Sequence, residues 1–451
     1  MKTIDRGRIK ELMAKEERQF IREHQNSKAL FERAKSSLIA GVPMNWMVKW
    51  AGPYPIFVKK GRGTHITDVD GHRYLDLCLG DTGSMFGHSP KAVVDAVKKQ
   101  VEEGISMMLP TEDSVWVGEE LARRFGLPYW QIAMTATDAN RFSIRLAREM
   151  TKRSKILVIR GCYHGSVDET LIVLKDGAVA PRAGNIGPPV HPSITTKAVE
   201  FNDIGALKEA LEPEDVACVL AEPAMTNRGI ILPGHGYHDA LRELTLKHGT
   251  LLIIDETHTI CCGIGGYTRE YGLKPDIVTI GKPLASGVPV AAYGMNRHVA
   301  EMIRESMTGE GSDESGIGGT LSGNALAVAA MKATLQKVIT EEAFEKMMPL
   351  AIRFEKGIDD AIKAEKLPWH VTRLGVRIDY HFMPRAPRNG AEADAAKDVE
   401  LEKLLHLMAI NRGILMTPFH NMALISPFTT RKDVDLHTNI FQNCVNELTA
   451  D

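Results

Sequence analysis

The chain has 451 residues, of which 44% are hydrophobic and 25% charged, the make-up of a globular protein too long for a single core and so built of two or three lobes. Its formal net charge of −2 gives no electrostatic case for nucleic acid or for a membrane surface as partner. No apolar run approaches the roughly 18–20 residues that a membrane span requires. The first twenty residues, MKTIDRGRIKELMAKEERQF, are charged from the second position and carry no apolar leader, so a cytoplasmic protein is expected. They read instead as an amphipathic helix with Ile9, Leu12 and Met13 on one face.

From about residue 75 to 330, short apolar runs alternate with helix-period segments, the pattern of strands joined by crossover helices. A helix is expected over Ser89–Gly104, with Ser89 as N-cap and Pro90 at the first helical position. The clearest strands are Ile156–Ile159, Cys218–Ala221, Leu251–Ile254 and Ile277–Ile280. Each is short, rich in Val, Ile or Leu and not alternating, as strands buried on both faces are. A mostly parallel α/β sheet follows, with ligands expected near the carboxyl ends of its strands. The expected division is residues 1–75 as the N-terminal part of a small α+β lobe, 76–330 as the large domain and 331–451 as a C-terminal small domain. No GxGxxG, GxxxxGK[ST] or GxSxG motif is present.

Four features carry chemistry, each at or just past a predicted strand end. In AMTATDANRF, Ala136 and Thr137 stand at a helix start, where free N–H groups and the helix dipole favour an anion such as phosphate; an ordinary Thr-capped helix is the bland alternative. In RGCYHGS, Tyr163 offers an aromatic face to a flat heterocycle, or simply packs. In LLIIDETHT, Asp255 either caps a turn or faces a protonated ring nitrogen. In DIVTIGKPLASG, Lys282 follows a glycine and precedes small residues, a setting in which burial makes an amine nucleophilic and able to carry protons. Cys261 and Cys262 follow His258 by three and four residues but come without CxxC or HExxH. With six cysteines in all, neither a metal site nor a disulfide framework is expected.

In order and spacing these motifs resemble the class III aminotransferases, near the branch of glutamate-1-semialdehyde aminomutase and the β-amino-acid aminotransferases. The resemblance runs from about Gly52 to Pro427. It includes DVDGHRYLDL with Asp70 and Gly71, FGHSP, TATDAN, YHG, AEP at Glu222, IIDET, IGKP and GGTLSGN. It implies a type I pyridoxal-5′-phosphate (PLP) fold in which Lys282 carries the cofactor as a Schiff base and Asp255 partners the pyridine nitrogen. Tyr163 and Thr257 would then flank the ring, and Ala136 and Thr137 would hold the phosphate. Asn227 and His258 would approach the 3-hydroxyl side. Thr320 would reach the phosphate of a neighbouring subunit, which implies a homodimer with shared sites.

Departures from the family pattern fall in two places. The phosphate turn, commonly Ser-Gly-Thr-Glu-Ala, is here Thr135-Ala136-Thr137-Asp138-Ala139, which adds a methyl group and restricts the backbone. On the substrate side, positions where β-amino-acid aminotransferases carry carboxylate-binding arginines fall on Trp46 and near Phe419 and His420, and a pocket aromatic becomes Asp81. An indole cannot replace a bidentate guanidinium. Arg228 is a further carboxylate contact or a solvated side chain. The expected reaction is ping-pong amino transfer from an amine or amino acid to a 2-oxo acid. An intramolecular aminomutase, an epimerase or a decarboxylase on the same fold stand as alternatives, and a catalytically silent binding protein as a rival from another class.

Overall fold

A computed structural model describes residues 4–307 and 316–450. The chain divides into two compact units, one of Met1–Pro90, Glu342–Ala386 and Ala395–Asp451, the other of Lys91–Glu341 and Pro387–Asp394. The divisions thus fall at about 90 and 342 rather than at 75 and 331, and the second unit also takes in a short segment from late in the chain.

In the first unit, the helix Arg6–Glu23 starts at Asp5, whose carboxylate accepts from Gly7 N at 2.9 Å. It buries Ile9, Leu12, Glu16 and Phe20, a three- and four-residue spacing that makes one face. Glu16 is the polar member of that face. Arg412 at 3.2 Å and Asn411 Nδ2 at 2.8 Å offset the cost of burying its charge. A second helix, Gln25–Ala34, follows a break at His24. Val58–Arg62, His65–Asp68 and Arg73–Asp76 form an antiparallel meander, joined on its far side by Ile414–Leu415 running parallel to Arg73–Asp76. A second sheet pairs Arg377–His381 with His370–Leu374 and Met422–Leu424, both antiparallel.

The second unit is built on a seven-stranded sheet. Across it the order is Tyr129–Ala133, Ala291–Met295, Ile277–Ile280, Leu251–Asp255, Val216–Ala221, Lys155–Ile159 and Thr196–Val199. The four strands expected from sequence are the four adjacent inner ones, all mutually parallel. Their side chains are almost wholly buried, which is why they read as unbroken apolar runs. Ala291–Met295 runs antiparallel to both of its neighbours, and so opposite to the other six strands. The ten residues between Ile280 and Ala291, which include the short turn Lys282–Ala285, leave too little chain for a crossover helix.

One expected helix start is corrected. The helix runs Lys91–Glu103, and Ser89 sits in the left-handed region at φ 51°, outside the range of an N-cap. Its hydroxyl donates to Gly61 O at 3.2 Å instead.

Candidate active site

Parallel strands place their carboxyl ends on one edge of the sheet, and the side chains that follow them gather there. Asp255 ends its strand and is 3% exposed. Its Oδ2 accepts from Asn140 Nδ2 at 3.0 Å and from His164 Nδ1 at 2.9 Å, and its Oδ1 accepts from Thr257 N at 3.0 Å. Asn140 is itself fixed, donating also to His164 O at 3.1 Å and accepting from Thr279 Oγ1 at 2.6 Å. Burial works against a charged Asp255, but the hydrogen bond and charge of His164, with Thr257 and Asn140, hold its carboxyl down at about 2. Burial likewise opposes the charge on His164, yet Cys162 and Asp255 raise it well above the ordinary histidine value.

The two shifts act on stability over different pH ranges. The Asp255 contribution is complete above the ordinary carboxyl value of 3.8 and lost as pH falls towards 2. The His164 contribution is complete below 6.5 and lost as pH rises through its raised value. Exchanging His164 for Gln removes the cation and leaves burial to push the Asp255 carboxyl up. The acid limb of the activity–pH profile is then expected to move to higher pH. A limb that stays in place would show that His164 does not set the Asp255 charge.

Lys282 follows the strand Ile277–Ile280 and takes a left-handed backbone, φ 34°, a strained conformation for a residue with a Cβ. Its Nζ is hydrogen-bonded to His258 Nε2. His258 Nδ1 lies 2.6 Å from Thr226 Oγ1, and Thr226 in turn donates to Glu222 Oε2. Asn227 Nδ2 donates to Glu222 Oε1 at 2.9 Å. These donors and acceptors agree in one direction: Lys282 gives to His258, His258 to Thr226, and Thr226 to the Glu222 carboxylate. Glu222 is buried, and burial raises its pKa, so the far end of the chain also has a tendency to take a proton.

The helix Ala136–Thr151 begins at the same edge, capped by Thr135, whose hydroxyl accepts from Asp138 N at 3.2 Å. Thr137 Oγ1 accepts from Ser166 N at 3.1 Å. Two glycines allow the close approach this needs. A Cβ on Gly165, where φ is +84°, would lie 2.1 Å from Thr137 Oγ1, and one on Gly281 would lie 2.9 Å from Ala136 Cβ. The methyl group of Ala136 is thus accommodated by a bare backbone opposite. Tyr163 is half-buried just past the strand Lys155–Ile159, and Thr257 is buried two residues after Asp255.

A buried carboxylate held ionised, an amine on a strained turn, and a helix start with free N–H groups make up a donor set that fits a flat ring with a cationic nitrogen, a carbonyl and a phosphate. Asn140, His164 and Thr226 complete this cluster and were not assigned roles from sequence. All three lie in or beside the motifs TATDAN, YHG and AEP, but partners that fix them, Asp255, Thr279 and His258, follow or lie on other strands.

Thr320 is exposed, in the turn before the helix Ala325–Lys337. Arg228 is ion-paired with Asp394 at 3.1 Å. Trp46, Asp81 and His420 belong to the first unit. There the Trp46 ring packs edge-on to Phe419 at 6.0 Å, with His420 beyond it at 5.8 Å from Phe419. Asp81 lies in a run of left-handed residues from Leu79 to Thr82. The neighbouring Thr82 accepts a hydrogen bond from the wholly buried Arg377.

Residues 46–445 match the class-III aminotransferase family. The chain is 34% identical to a glutamate-1-semialdehyde 2,1-aminomutase of Desulfitobacterium hafniense, over 91% of this chain and 96% of that one. Among solved structures it resembles a glutamate-1-semialdehyde-aminomutase from Pseudomonas aeruginosa PAO1, with TM-score 0.96 and 47% identity over 99% of both chains. A lysine-to-alanine variant of the Pseudomonas protein is known in complex with PMP. An omega-transaminase from Sphaerobacter thermophilus superposes with TM-score 0.87 at 26% identity, over 95% of this chain and 99% of that one. The chain belongs to the class-III aminotransferase family and is a PLP-dependent enzyme of the aminotransferase fold.

Proposed function

We propose that this enzyme moves an amino group within one substrate, from carbon 2 to carbon 1 of glutamate-1-semialdehyde, with Lys282 as its proton carrier. Sequence reading put ping-pong transfer between two substrates first and this reaction second. The likeness to aminomutases along nearly the whole chain is the observation that reverses that order.

When bound, PLP supplies a carbonyl that combines with amines and a cationic ring that draws electrons from the substrate carbon. Lys282 is the amine positioned for that carbonyl. Lys282 would remove a proton from carbon 2 and deliver one to carbon 1, with His258, Thr226 and Glu222 relaying charge behind it. Asp255, kept ionised by His164, would partner the ring nitrogen and hold its proton in place. The N–H groups of Ala136 and Thr137 would take the phosphate, Tyr163 and Thr257 would bound the ring faces, and Asn227 and His258 would stand on the 3-hydroxyl side.

A homodimer is part of the same reading. Met108 and Leu109 are 77% and 72% exposed, and Leu321, beside Thr320, is 51% exposed. The carbonyl of nearby Ile105 accepts from Leu326 N at 3.3 Å, so these two apolar stretches form one patch on the second unit. A second copy covering that patch would bring Thr320 to its phosphate.

The discriminating experiment supplies glutamate-1-semialdehyde with no amino acceptor and follows isomer formation by NMR. Many turnovers per chain are expected. A halt after one turnover, relieved by a 2-oxo acid, would restore the ping-pong reading.

A further inference from the structure

The positions where β-amino-acid aminotransferases carry carboxylate-binding arginines fall here on Trp46 and near His420, so a substrate carboxylate needs another cation. Arg182 offers one. It follows the strand Ala178–Pro181, the second arm of a hairpin with Ile172–Lys175. Its main chain is held on both sides, Arg182 N donating to Leu171 O at 3.1 Å and Asn185 N donating to Arg182 O at 2.9 Å. A backbone fixed in this way gives a long side chain a defined origin. The part-buried guanidinium is directed back at the end of the strand Lys155–Ile159, where its Nη1 donates to Cys162 O at 3.4 Å. Cys162 directly precedes Tyr163, the residue assigned to one face of the ring.

The charges around Arg182 do not cancel. Arg160 Nη1 lies 3.4 Å from Glu200 Oε1, and its Nη2 donates to Asp394 Oδ2 at 3.0 Å. Arg228 Nε takes the other oxygen of Asp394 at 3.1 Å. Both carboxylates of the cluster are thus engaged by Arg160 and Arg228. Among the described residues, no carboxylate lies within 4.0 Å of the Arg182 guanidinium. Burial, and then the positive charge of Arg228, lower its pKa. A guanidinium stays charged all the same, so three cations face two anions.

Arg228 reaches the same turn. A Cβ on Gly161, where φ is +86°, would lie 2.9 Å from Arg228 Cγ, so the stem of this arginine crosses a bare backbone. Asn227, the residue before it, donates to Glu222 at the far end of the path from Lys282. Gly161 and Cys162 therefore each have an arginine against them, one neutralised by Asp394 and one not. The geometry of the second arginine selects its partner. Nη1 of Arg182 is spent on Cys162 O, while Nε and Nη2 have no partner among the described residues. Those two N–H groups form one edge of the guanidinium plane, the edge that meets both oxygens of a carboxylate at once.

We propose that the Nε–Nη2 edge of Arg182 binds the terminal carboxylate of the substrate, with Arg228 adding to the positive field, and so selects substrates that carry an anion at the end remote from the reacting carbons. Glutamate-1-semialdehyde has its carboxylate at that end. Arg182 makes and breaks no bond; it fixes the far end of the substrate and thereby the orientation of the near one. The assignment rests on the reading that amino-group chemistry takes place beside Tyr163 and Lys282, and it names the residue that would recognise the substrate there.

The test titrates PLP-loaded enzyme with two amines and follows the absorbance of the bound cofactor. One is 4-aminobutanoate, in which amine and carboxylate are separated as in glutamate-1-semialdehyde. The other is butylamine, the same carbon chain with a methyl group in place of the carboxylate. The wild type is expected to bind 4-aminobutanoate the more tightly. Arg182→Gln should weaken 4-aminobutanoate by on the order of 30-fold, the worth of a charge-assisted pair, and leave butylamine unchanged. Arg182→Lys should recover part of the loss, because a point charge remains without the planar fork; it also serves if the glutamine variant fails to fold. A wild type with no preference for the carboxylate, a folded variant that keeps the wild-type preference, or an equal loss for both amines overturns the assignment. Neither amine can be isomerised, so the result is separate from the isomer-formation assay. A selective loss in Arg182→Gln without any isomer formation would sink the aminomutase reading and leave the carboxylate site standing.

Discussion

Lys282→Ala is expected to give a folded protein that still takes up PLP but whose turnover is lower by on the order of 10⁴-fold, the upper end of what a positioned proton-transfer group contributes. The size of the effect follows from the surroundings of the amine. His258 Nε2 receives its hydrogen bond, and a path leads onward through Thr226 to Glu222. Folding should survive, because alanine tolerates the φ of 34° at this position about as well as lysine does. In the wild type, borohydride reduction followed by peptide mapping should place the cofactor on the peptide containing Lys282. A small primary amine added to the variant should restore part of the activity by substituting for the missing group. Full amino transfer by the variant would end the assignment of this lysine.

Asp255→Asn should lower kcat by on the order of 10³-fold, in the range that loss of one preorganised electrostatic partner produces. The exchange preserves shape but removes the negative charge that, in the proposed reading, would keep a proton on the ring nitrogen. It also leaves His164, raised by its partners, without the carboxylate 2.9 Å away. Breaking a buried pair from one side typically costs about 3–5 kcal/mol, so urea denaturation should show a loss of that order at neutral pH. A variant with unchanged kcat would remove Asp255 from the mechanism. Unchanged stability would instead show that the Asp255–His164 pair contributes little to the fold.

The inner part of the sheet was legible in the sequence because its strands are buried on both faces. Ile156–Ile159 and Ile277–Ile280 have no polar alternation to confuse with a surface strand, and both occur in the fold within a residue of the expected bounds. The outer strands were harder to read. Thr196–Val199 is only partly buried at the sheet edge, and Ala291–Met295 carries two alanines and a glycine, residues depleted in strands, beside its tyrosine. The helix start near Pro90 was misplaced because a serine followed by proline looks like a cap, whereas the chain needed Ser89 to turn into the left-handed region.

The sequence by itself determined the family, the α/β fold and the order in which Ala136, Tyr163, Asp255 and Lys282 arrive at the strand ends. Each of these is a matter of residue type at short range: a lysine after a glycine, a carboxylate closing an apolar run. Only the tertiary structure decided what surrounds them. The His164 and Asn140 bonds to Asp255 span 91 and 115 residues, and the path from Lys282 through His258 and Thr226 to Glu222 joins three different strand ends. Pairings across such separations follow from how the strands are ordered in the sheet, and no local pattern encodes that order. The same holds for Asp394, which joins Arg160 across 234 residues and so sets the charge around Arg182.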